Sequence, residues 1–290
     1  MDDKRVKPAK LKSGRRTPKA DEPIAEFANP PVTEVVFGIG FEKLANYSSL
    51  LMGIFWNEVR EEFPISEAKA PLPPPTGAMA MEFEISADTP PQTPRFFLRS
   101  EDRSFLIQLQ EDRFLYNWIK VVGGPDYPRY SNMVNRFNSL WGLFSKFLNR
   151  ERIDSPVIRE LRLQYVNHIT EGEGWDNLSE IQKVFPSYSF DERDDRYLKP
   201  PLSWVIVSSH DLPIENARME ISIKTGRYKH GMKDEKRLLA AELLVIGKVD
   251  DPKPNEVQQW FDMAREAIDL TFVEITSSQI QKNVWGMNGQ

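Results

Sequence analysis

Residues 105–118, FLIQLQEDRFLYNW, constrain the fold more than any other stretch of the chain. Large apolar side chains alternate with polar ones on both sides of a short polar turn at Glu111 and Asp112. Alternation with a period of two on either side of a short turn predicts a β-hairpin. One face of this hairpin has enough aromatic and branched bulk to require a core behind it. The sequence therefore predicts an antiparallel sheet with apolar packing on one face and amides on the other.

The composition allows a large core and excludes several kinds of site. The chain has 290 residues, 40% of them hydrophobic and 11% aromatic, so one large domain or two closely packed halves are expected. It has no cysteine, which excludes disulfides, thiolate metal ligands and cysteine nucleophiles and fits a reducing compartment. It has no apolar run of membrane-spanning length and no apolar signal segment. We therefore expect a cytoplasmic protein that does not contact membranes.

Charge is distributed unevenly along the chain. Residues 1–22 carry eight Lys and Arg against four Asp and Glu, and the remainder carries 30 against 39. A basic segment of this kind is expected to be a disordered tail that solubilises the protein or contacts nucleic acid or an acidic partner. The acidic body argues against broad binding of duplex DNA, because phosphate neutralisation dominates such binding.

The first half of the body, residues 23–155, is predicted to contain five strands and two helices. Ser48 can cap a helix that runs to about residue 62, and a proline-rich stiff loop is expected at 64–77. A long helix with an aromatic stripe is expected at 127–147, most simply as packing against the sheet. The predicted strands cover residues 32–41, 80–85 and 95–100 and the two arms of the hairpin.

The second half, residues 156–290, is predicted to repeat this order of elements. Strands are expected at 157–168, 202–208, 217–225 and 236–248, with a short helix near 177–185 and a final helix at 254–276. Residues 210–213 are expected to form a turn. The charged run at 191–196 is expected to be a solvated loop.

The element order predicts an α+β fold with long helices packed on one face of an antiparallel sheet. Both halves read as strand, helix, antiparallel meander and long helix, although hardly any residue-level repeat supports duplication. Joined edge to edge as one compact unit, two such halves resemble the duplicated arrangement of the TATA-binding-protein-like fold. The alternative is two separate sheet-plus-helix layers that face one another.

Catalytic and metal-binding signatures are absent from the sequence. The three histidines, His168, His210 and His230, have no metal-ligand spacing, and there is no nucleotide-binding glycine pattern or nucleophile motif. His210 and Asp211 are the most enzyme-like pair, but neighbours in sequence often point apart. We therefore expect no cofactor and no metal.

The polar face of the predicted sheet is the best candidate for a binding surface. Arginine, glutamine and asparagine side chains suit recognition of phosphate, carboxylate, base edges or backbone amides. The alternative is the solvated face of a half-covered sheet, or amides that tie the strands together. The candidate residues, if their strands are neighbours in register, are Arg95, Arg99, Gln108, Gln110, Arg113, Asn117, Arg162 and Gln164.

Four motifs carry a resemblance over nearly the whole body. They are Asn29-Pro30-Pro31-Val32-x-Glu34, Gln108-x-Gln110-x-x-Arg113-Phe114-x-x-Asn117-Trp118, Tyr127-Pro128-x-Tyr130 and Trp285-Gly286. The body resembles an uncharacterised, sporadically distributed bacterial family. That family tends to have Ala-His where this chain has Ala264-Arg265, so a catalytic histidine is not expected there. The resemblance implies an accessory gene in a mobile or antiviral-defence setting, with no established activity.

The absence of catalytic motifs and the amide-rich strands favour a non-enzymatic recognition module, in a bacterial defence or toxin–antitoxin-like system, that binds a protein partner. One alternative is a nucleic-acid-binding protein that uses the polar sheet face and the basic tail, which a continuous positive strip on the sheet would favour. Another is an enzyme whose site is assembled from distant residues, which a pocket with perturbed acids would favour.

Overall fold

The computed structural model describes residues 27–44, 47–72, 94–190, 193, 195, 197–230 and 234–287. The predicted basic tail, the predicted strand at 80–85 and most of the charged run at 191–196 lie outside these residues. No helix in the described ranges is long and apolar enough to cross a membrane.

The described chain forms an α+β fold around a single antiparallel sheet, which excludes two separate facing sheets. Its strands are β1 (Val32–Phe41), β2 (Ile65–Lys69), β3 (Arg95–Arg99), β4 (Phe105–Gln110), β5 (Arg113–Ile119), β6 (Ile158–Thr170), β7 (Val205–Asp211), β8 (Ala217–His230) and β9 (Asp234–Lys248). Its helices are α1 (Ser49–Val59), α2 (Tyr130–Arg150), α3 (Pro254–Ile275) and α4 (Ser278–Asn283), with a short 3-10 helix at Leu178–Lys183.

The nine strands are ordered β2-β3-β4-β5-β1-β6-β9-β8-β7. In each half, the first strand lies beside the last strand of the meander, and β1 pairs with β6 where the halves meet. This order places β1 at the centre of the sheet. Whether the halves are related by duplication stays a prediction, because strand order alone does not establish it.

The long helices share one face of the sheet, as the aromatic stripe predicted. Phe37 at the middle of β1 has its ring centroid 5.7 Å from that of Phe137 in α2 and 5.2 Å from that of Phe261 in α3. All three side chains are fully buried. The two helices therefore pack against each other and against β1, and we call this side of the sheet the helix face and the other the open face.

Two expectations about local structure were wrong, and one short helix was missed. Residues 65–69 form the edge strand β2 rather than a loop, because they pair with β3. His210 and Asp211 are the last residues of β7 rather than a turn, since they pair with Met219 and Arg218. The helix α4 was not predicted because it is only six residues long, too short for a hydrophobic period to appear.

Candidate functional site

The strand register places all eight candidate residues on the open face of the sheet. Directly paired residues point to the same side of an antiparallel sheet. One row of pairs joins Arg99, Leu106, Asn117, Val36 and Gln164 across five strands. The parallel rows contain Gln108 and Arg162, and Arg95, Gln110 and Arg113.

Four of these residues are almost inaccessible to solvent. Gln108 is 7% exposed, Gln110 and Arg113 are each 4% exposed, and Asn117 is 1% exposed. The four remaining candidates are only partly buried. Buried polar groups need hydrogen-bond partners, so the local bonds of these side chains decide what they do. Their role in binding stays a prediction.

The amides form a chain of hydrogen bonds across four neighbouring strands. Arg95 Nη1 donates to Gln108 Oε1 at 3.1 Å, and Gln108 Nε2 donates to Asn117 Oδ1 at 2.9 Å. Asn117 Nδ2 then donates to Glu34 Oε1 at 2.5 Å. We call Arg95, Gln108, Asn117 and Glu34 the polar ladder. It ties β3, β4, β5 and β1 together through side chains as well as through their backbones.

The other two members of the hairpin motif also bond within the chain. Gln110 bonds the backbone of Leu72 twice, accepting from its N–H at 2.8 Å and donating to its carbonyl at 3.0 Å. Arg113 donates to both carboxylate oxygens of Asp112, at 2.8 and 2.9 Å. These bonds anchor the segment that follows β2 and the turn of the hairpin.

Most basic side chains on the open face have acidic neighbours. Ion pairs join Arg113 to Asp112, Arg162 to Glu160, Arg218 to Glu220, Lys224 to Glu242, and both Lys69 and Arg99 to Glu67. Arg95 and Arg99 stack on Phe97, with their guanidinium carbons 4.7 and 5.1 Å from its ring centroid. Lys69 and Arg95 are nevertheless direct neighbours on β2 and β3, so the charges of the described strands do not simply alternate in sign.

A cleft of about 1310 Å³ lies around the start of β1. It is lined from both sides of the sheet: Trp118 and Tyr165 belong to the helix face, whereas Glu34 and Val166 belong to the open face. The polar ladder therefore ends at the cleft. The remainder of its wall includes residues 27–33, 119–122, Tyr127, Arg129, Tyr130, Ser131, His168, Arg265, Asp269, Phe272 and Trp285.

All four sequence motifs meet at this cleft. Asn29 to Glu34, Trp118, Tyr127, Tyr130 and Trp285 are in its wall. The start of the described chain is held there by backbone bonds, from Asn29 N–H to the carbonyl of Trp285 at 3.0 Å and from Ala28 N–H to that of Gly286 at 3.3 Å. Arg265, at the Ala-Arg position in α3, is also in the wall. Stretches that are up to about 250 residues apart therefore build one site.

Three tyrosines form the helix-face wall of the cleft. The hydroxyls of Tyr127 and Tyr165 are 2.9 Å apart and share a hydrogen bond, and Tyr130 donates to Asp262 Oδ1 at 2.8 Å. Burial raises the pKa of all three phenols, so they stay protonated and act as hydrogen-bond donors at physiological pH. Arg265 lies over Tyr130, with 5.2 Å between its guanidinium carbon and the ring centroid.

Two carboxyl groups of the cleft have perturbed acidity. Burial raises the pKa of Asp269 to about 6, against the attraction of Arg265, whose Nε is 3.2 Å from Asp269 Oδ2. Burial also raises the pKa of Glu34, and the hydrogen bond from Asn117 opposes it. Both groups therefore hold a proton more tightly than exposed carboxyls do. Perturbed acids in a cleft favour the enzyme alternative.

Among the side chains that the structure describes, no group of three or more His, Cys, Asp or Glu could hold a metal ion. His168 is in the cleft wall, where burial lowers its pKa. His210 is exposed and bonds Ser208 at 3.0 Å, whereas Asp211 points to the opposite face of β7 because strand residues alternate. The adjacent His210 and Asp211 therefore do not form a catalytic pair.

Sequence reasoning missed Tyr165, Asp262 and Asp269, and it noted Arg265 only as a departure from a pattern. The helix α3 did contain a signal. Asp262, Arg265 and Asp269 are three and four residues apart, so they lie on one side of the helix, next to its apolar stripe. No protein-family model and no curated protein sequence matches the chain. Its function therefore has to follow from the cleft and from the motifs that meet there.

Proposed function

We propose that this protein is a recognition module and that it binds a protein partner in the cleft around the start of β1. The observation that carries the proposal is the meeting of four separate motifs at this cleft. An accessory role in bacterial defence is part of the proposal, and it is supported by the resemblance of those motifs alone.

The size and wall of the cleft support a partner larger than a metabolite. Pockets for small molecules usually have volumes of about 300–1,000 Å³, and this cleft has about 1310 Å³. The partly exposed side chains of Phe27 and Tyr127 offer apolar contact, while Asn29 and Ser131 offer hydrogen bonds. An extended segment of a partner protein uses both kinds of contact.

The polar ladder supports binding by keeping one wall of the cleft rigid. Glu34 accepts from Asn117, whose other bond continues to Gln108 on the next strand. A side chain that is fixed before binding loses less conformational entropy when the partner arrives. In this proposal, the candidate amides of the sheet position the binding residues rather than contact the partner.

The test compares two tryptophan substitutions on the open face. Val166 is partly buried and lines the cleft, whereas Val207 is 46% exposed on the edge strand and does not line it. Full-length wild type, Val166→Trp and Val207→Trp are each purified from cells that naturally express the protein, and the proteins that co-purify are identified by mass spectrometry. The proposal expects Val166→Trp alone to lose a partner. Equal recovery by all three proteins would overturn it.

The second candidate is an acid–base enzyme, which the carboxyl group of Asp269 favours. With its pKa raised to about 6, this group exchanges a proton near neutral pH. The test incubates the captured partner with wild type and with Asp269→Asn, then measures the partner's intact mass. A mass change that requires wild type supports the enzyme, and an unchanged partner in both samples refutes it.

A further inference from the structure

The strand β7 lies at one edge of the sheet, and its outer side has no neighbour among the described strands. It is the last strand in the order of the sheet, next to β8. Its register with β8 is continuous over all seven residues, so no bulge turns this edge away from a further strand. The backbone groups on the outer side of an edge strand are a template for pairing with another chain.

The hydrogen bonds to β8 identify which backbone groups of β7 point outward. The carbonyl of Trp204 accepts from the N–H of Thr225 at 3.0 Å, and the N–H of Leu212 donates to the carbonyl of Ala217 at 3.2 Å. Bonded and non-bonded pairs alternate along an antiparallel ladder, so the even-numbered residues of β7 bond β8. The odd-numbered residues direct both their N–H and their C=O outward. They are Val205, Val207, Ser209 and Asp211.

The two edges of the sheet differ in how they are protected against pairing. Natural edge strands avoid unwanted pairing by being short, by carrying charged side chains or by containing proline. The opposite edge, β2, has five residues, and its Glu67 and Lys69 form an ion pair at 2.8 Å. β7 has seven residues and no proline, and its only Asp, Glu, Lys or Arg is Asp211 at its end. β7 is therefore the less protected of the two edges.

Exposed apolar side chains are concentrated at the same edge. Val205 is 71% exposed and Val207 is 46% exposed. Tyr197, Leu198 and Leu202, in the segment just before β7, are exposed as well. These five are half of the ten large apolar side chains that are exposed in the described chain. Exposed apolar surface gathered in one region marks a site of protein interaction.

From this edge we infer that β7 pairs antiparallel with β7 of a second copy of the chain, about a two-fold axis at Ser208. In this register Val207 lies opposite the partner's Ser209, and Val205 lies opposite the partner's Asp211. The four outward-facing residues then form hydrogen-bonded pairs, so all eight of their N–H and C=O groups are bonded. No residue of β7 lines the cleft, so this inference does not depend on the proposed function.

The position of the axis follows from the outward-facing groups. A two-fold axis at Val207 would place Asp211 opposite the partner's Ser203, which precedes the strand. The outward groups of Asp211 would then lack a strand partner. The axis at Ser208 matches every outward-facing residue of one copy with an outward-facing residue of the other. Two-fold contacts of this kind, in which one patch serves both copies, are the commonest in soluble homo-oligomers.

The side chains of β7 are also complementary to those of a second copy. Asp211 pairs with Arg218 and would lie opposite the uncharged Val205 of the partner, whose neighbour on β8 is Lys224. No like charges therefore face each other across the axis. The two copies of Val207 become diagonal neighbours on the open face, so each covers apolar surface of the other.

The absence of cysteine from the chain allows a direct test of this register. The two copies of Ser208 would form a non-hydrogen-bonded pair with about 4.5 Å between their Cα atoms, which a disulfide can bridge. The two copies of Ser209 would be diagonal neighbours about 7–8 Å apart, which is beyond the usual disulfide range. Ser208→Cys and the matched control Ser209→Cys each supply a single thiol on the same strand.

Both full-length cysteine variants are oxidised mildly, and covalent dimer is measured on non-reducing gels. The inference expects about tenfold more covalent dimer from Ser208→Cys than from Ser209→Cys, because only the first pair is within bridging distance. Cross-linking of Ser209→Cys that equals or exceeds that of Ser208→Cys overturns the inference, and so does the absence of covalent dimer from both variants.

A second pair of variants tests the backbone pairing. Ser209→Pro removes an outward N–H but no bond to β8, whereas Ser209→Ala removes the same hydroxyl and keeps the N–H. In sedimentation equilibrium, wild type and Ser209→Ala should give twice the monomer mass of 33.6 kDa. Ser209→Pro should raise the dissociation constant of the dimer about tenfold or more, because each copy loses one of the bonds across the axis.

Circular dichroism shows whether Ser209→Pro folds, and the cysteine pair decides the question if it does not. A wild type that stays monomeric at every concentration overturns the inference. A folded Ser209→Pro that dimerises as tightly as wild type also overturns it, because the dimer then forms through another surface.

Discussion

Replacing Asn117 with leucine is the most direct test of the polar ladder. Asn117 is 1% exposed and bonds both neighbours in the ladder, accepting from Gln108 at 2.9 Å and donating to Glu34 at 2.5 Å. Leucine has a similar size but can form neither bond. The substitution therefore removes two hydrogen bonds while leaving the packing of β5 nearly unchanged.

The size of the stability loss in Asn117→Leu follows from the two side chains that lose Asn117 as a hydrogen-bond partner. The buried amide of Gln108 and the partly buried carboxyl group of Glu34 both stay in place. An unsatisfied buried polar group costs about 1–3 kcal/mol, with the lower end of this range for the more exposed Glu34. The apolar surface that leucine buries offsets part of this loss, since a buried leucine contributes about 1.5–3 kcal/mol. We therefore expect the free energy of unfolding to fall by about 2–4 kcal/mol, as measured by urea denaturation at pH 7.

The pH dependence of unfolding supplies a second readout. Because burial raises the pKa of Glu34 above its unfolded value of 4.5, the folded state binds the proton more tightly. Glu34 therefore opposes folding increasingly as the pH rises through 4.5 and beyond. In Asn117→Leu the free energy of unfolding should fall more steeply with rising pH than in wild type, because the hydrogen bond that stabilises the Glu34 carboxylate is gone.

Glu34→Gln is the matched control for the charge. Glutamine keeps an acceptor for Asn117 and has no carboxylate, so this variant should be more stable than wild type at pH 7. The higher stability of Glu34→Gln should disappear below pH 4, where Glu34 of the wild type is protonated in the folded and the unfolded state. An unfolding free energy of Asn117→Leu within about 0.5 kcal/mol of wild type, with unchanged pH dependence, would refute the structural role of the ladder.

Other predictions concern packing and the tyrosine wall. A Cβ on Gly247 would lie 2.4 Å from Nε1 of Trp260, so Gly247→Ala should lower the free energy of unfolding by about 1–3 kcal/mol in urea denaturation. A Cβ on Gly53 in α1 would meet no atom within 4 Å, so Gly53→Ala should raise the free energy of unfolding by about 0.5–1 kcal/mol. A lower free energy of unfolding in this variant would contradict the helix assignment. Tyr130→Phe removes the 2.8 Å bond to Asp262 and should cost about 1.5 kcal/mol, whereas no loss would mean that solvent replaces the hydroxyl.

The α+β class, the element order and most strands could be predicted because their signals are local. Ser48 caps α1, as its position before an apolar helix predicted, and its hydroxyl accepts from the N–H of Leu51 at 3.2 Å. The aromatic stripe of α2 packs on the sheet as its period required. The short edge strand β2 was missed because proline-rich neighbours indicate a loop, whereas its pairing with β3 depends on tertiary contact.

The cleft could be predicted only in part. Trp118, Tyr127 and Tyr130 are in motifs that the sequence singled out, but nothing local indicated that they lie beside Arg265 and Asp269 in α3. The proximity of these residues depends on the strand order and on how α2 and α3 pack over β1. A pKa near 6 for Asp269 likewise follows from burial, which exists only in the folded chain.

In the hairpin at 105–118, the sequence determined some features and the tertiary structure determined the others. Its sequence determined two strands, the turn between them and the side to which each side chain points, because alternation is a property of the strand itself. Only the tertiary structure decided what the polar side does. The register with β1 and β3 brings Gln108, Asn117 and Glu34 within hydrogen-bond distance and buries the two amides, so these side chains bond one another.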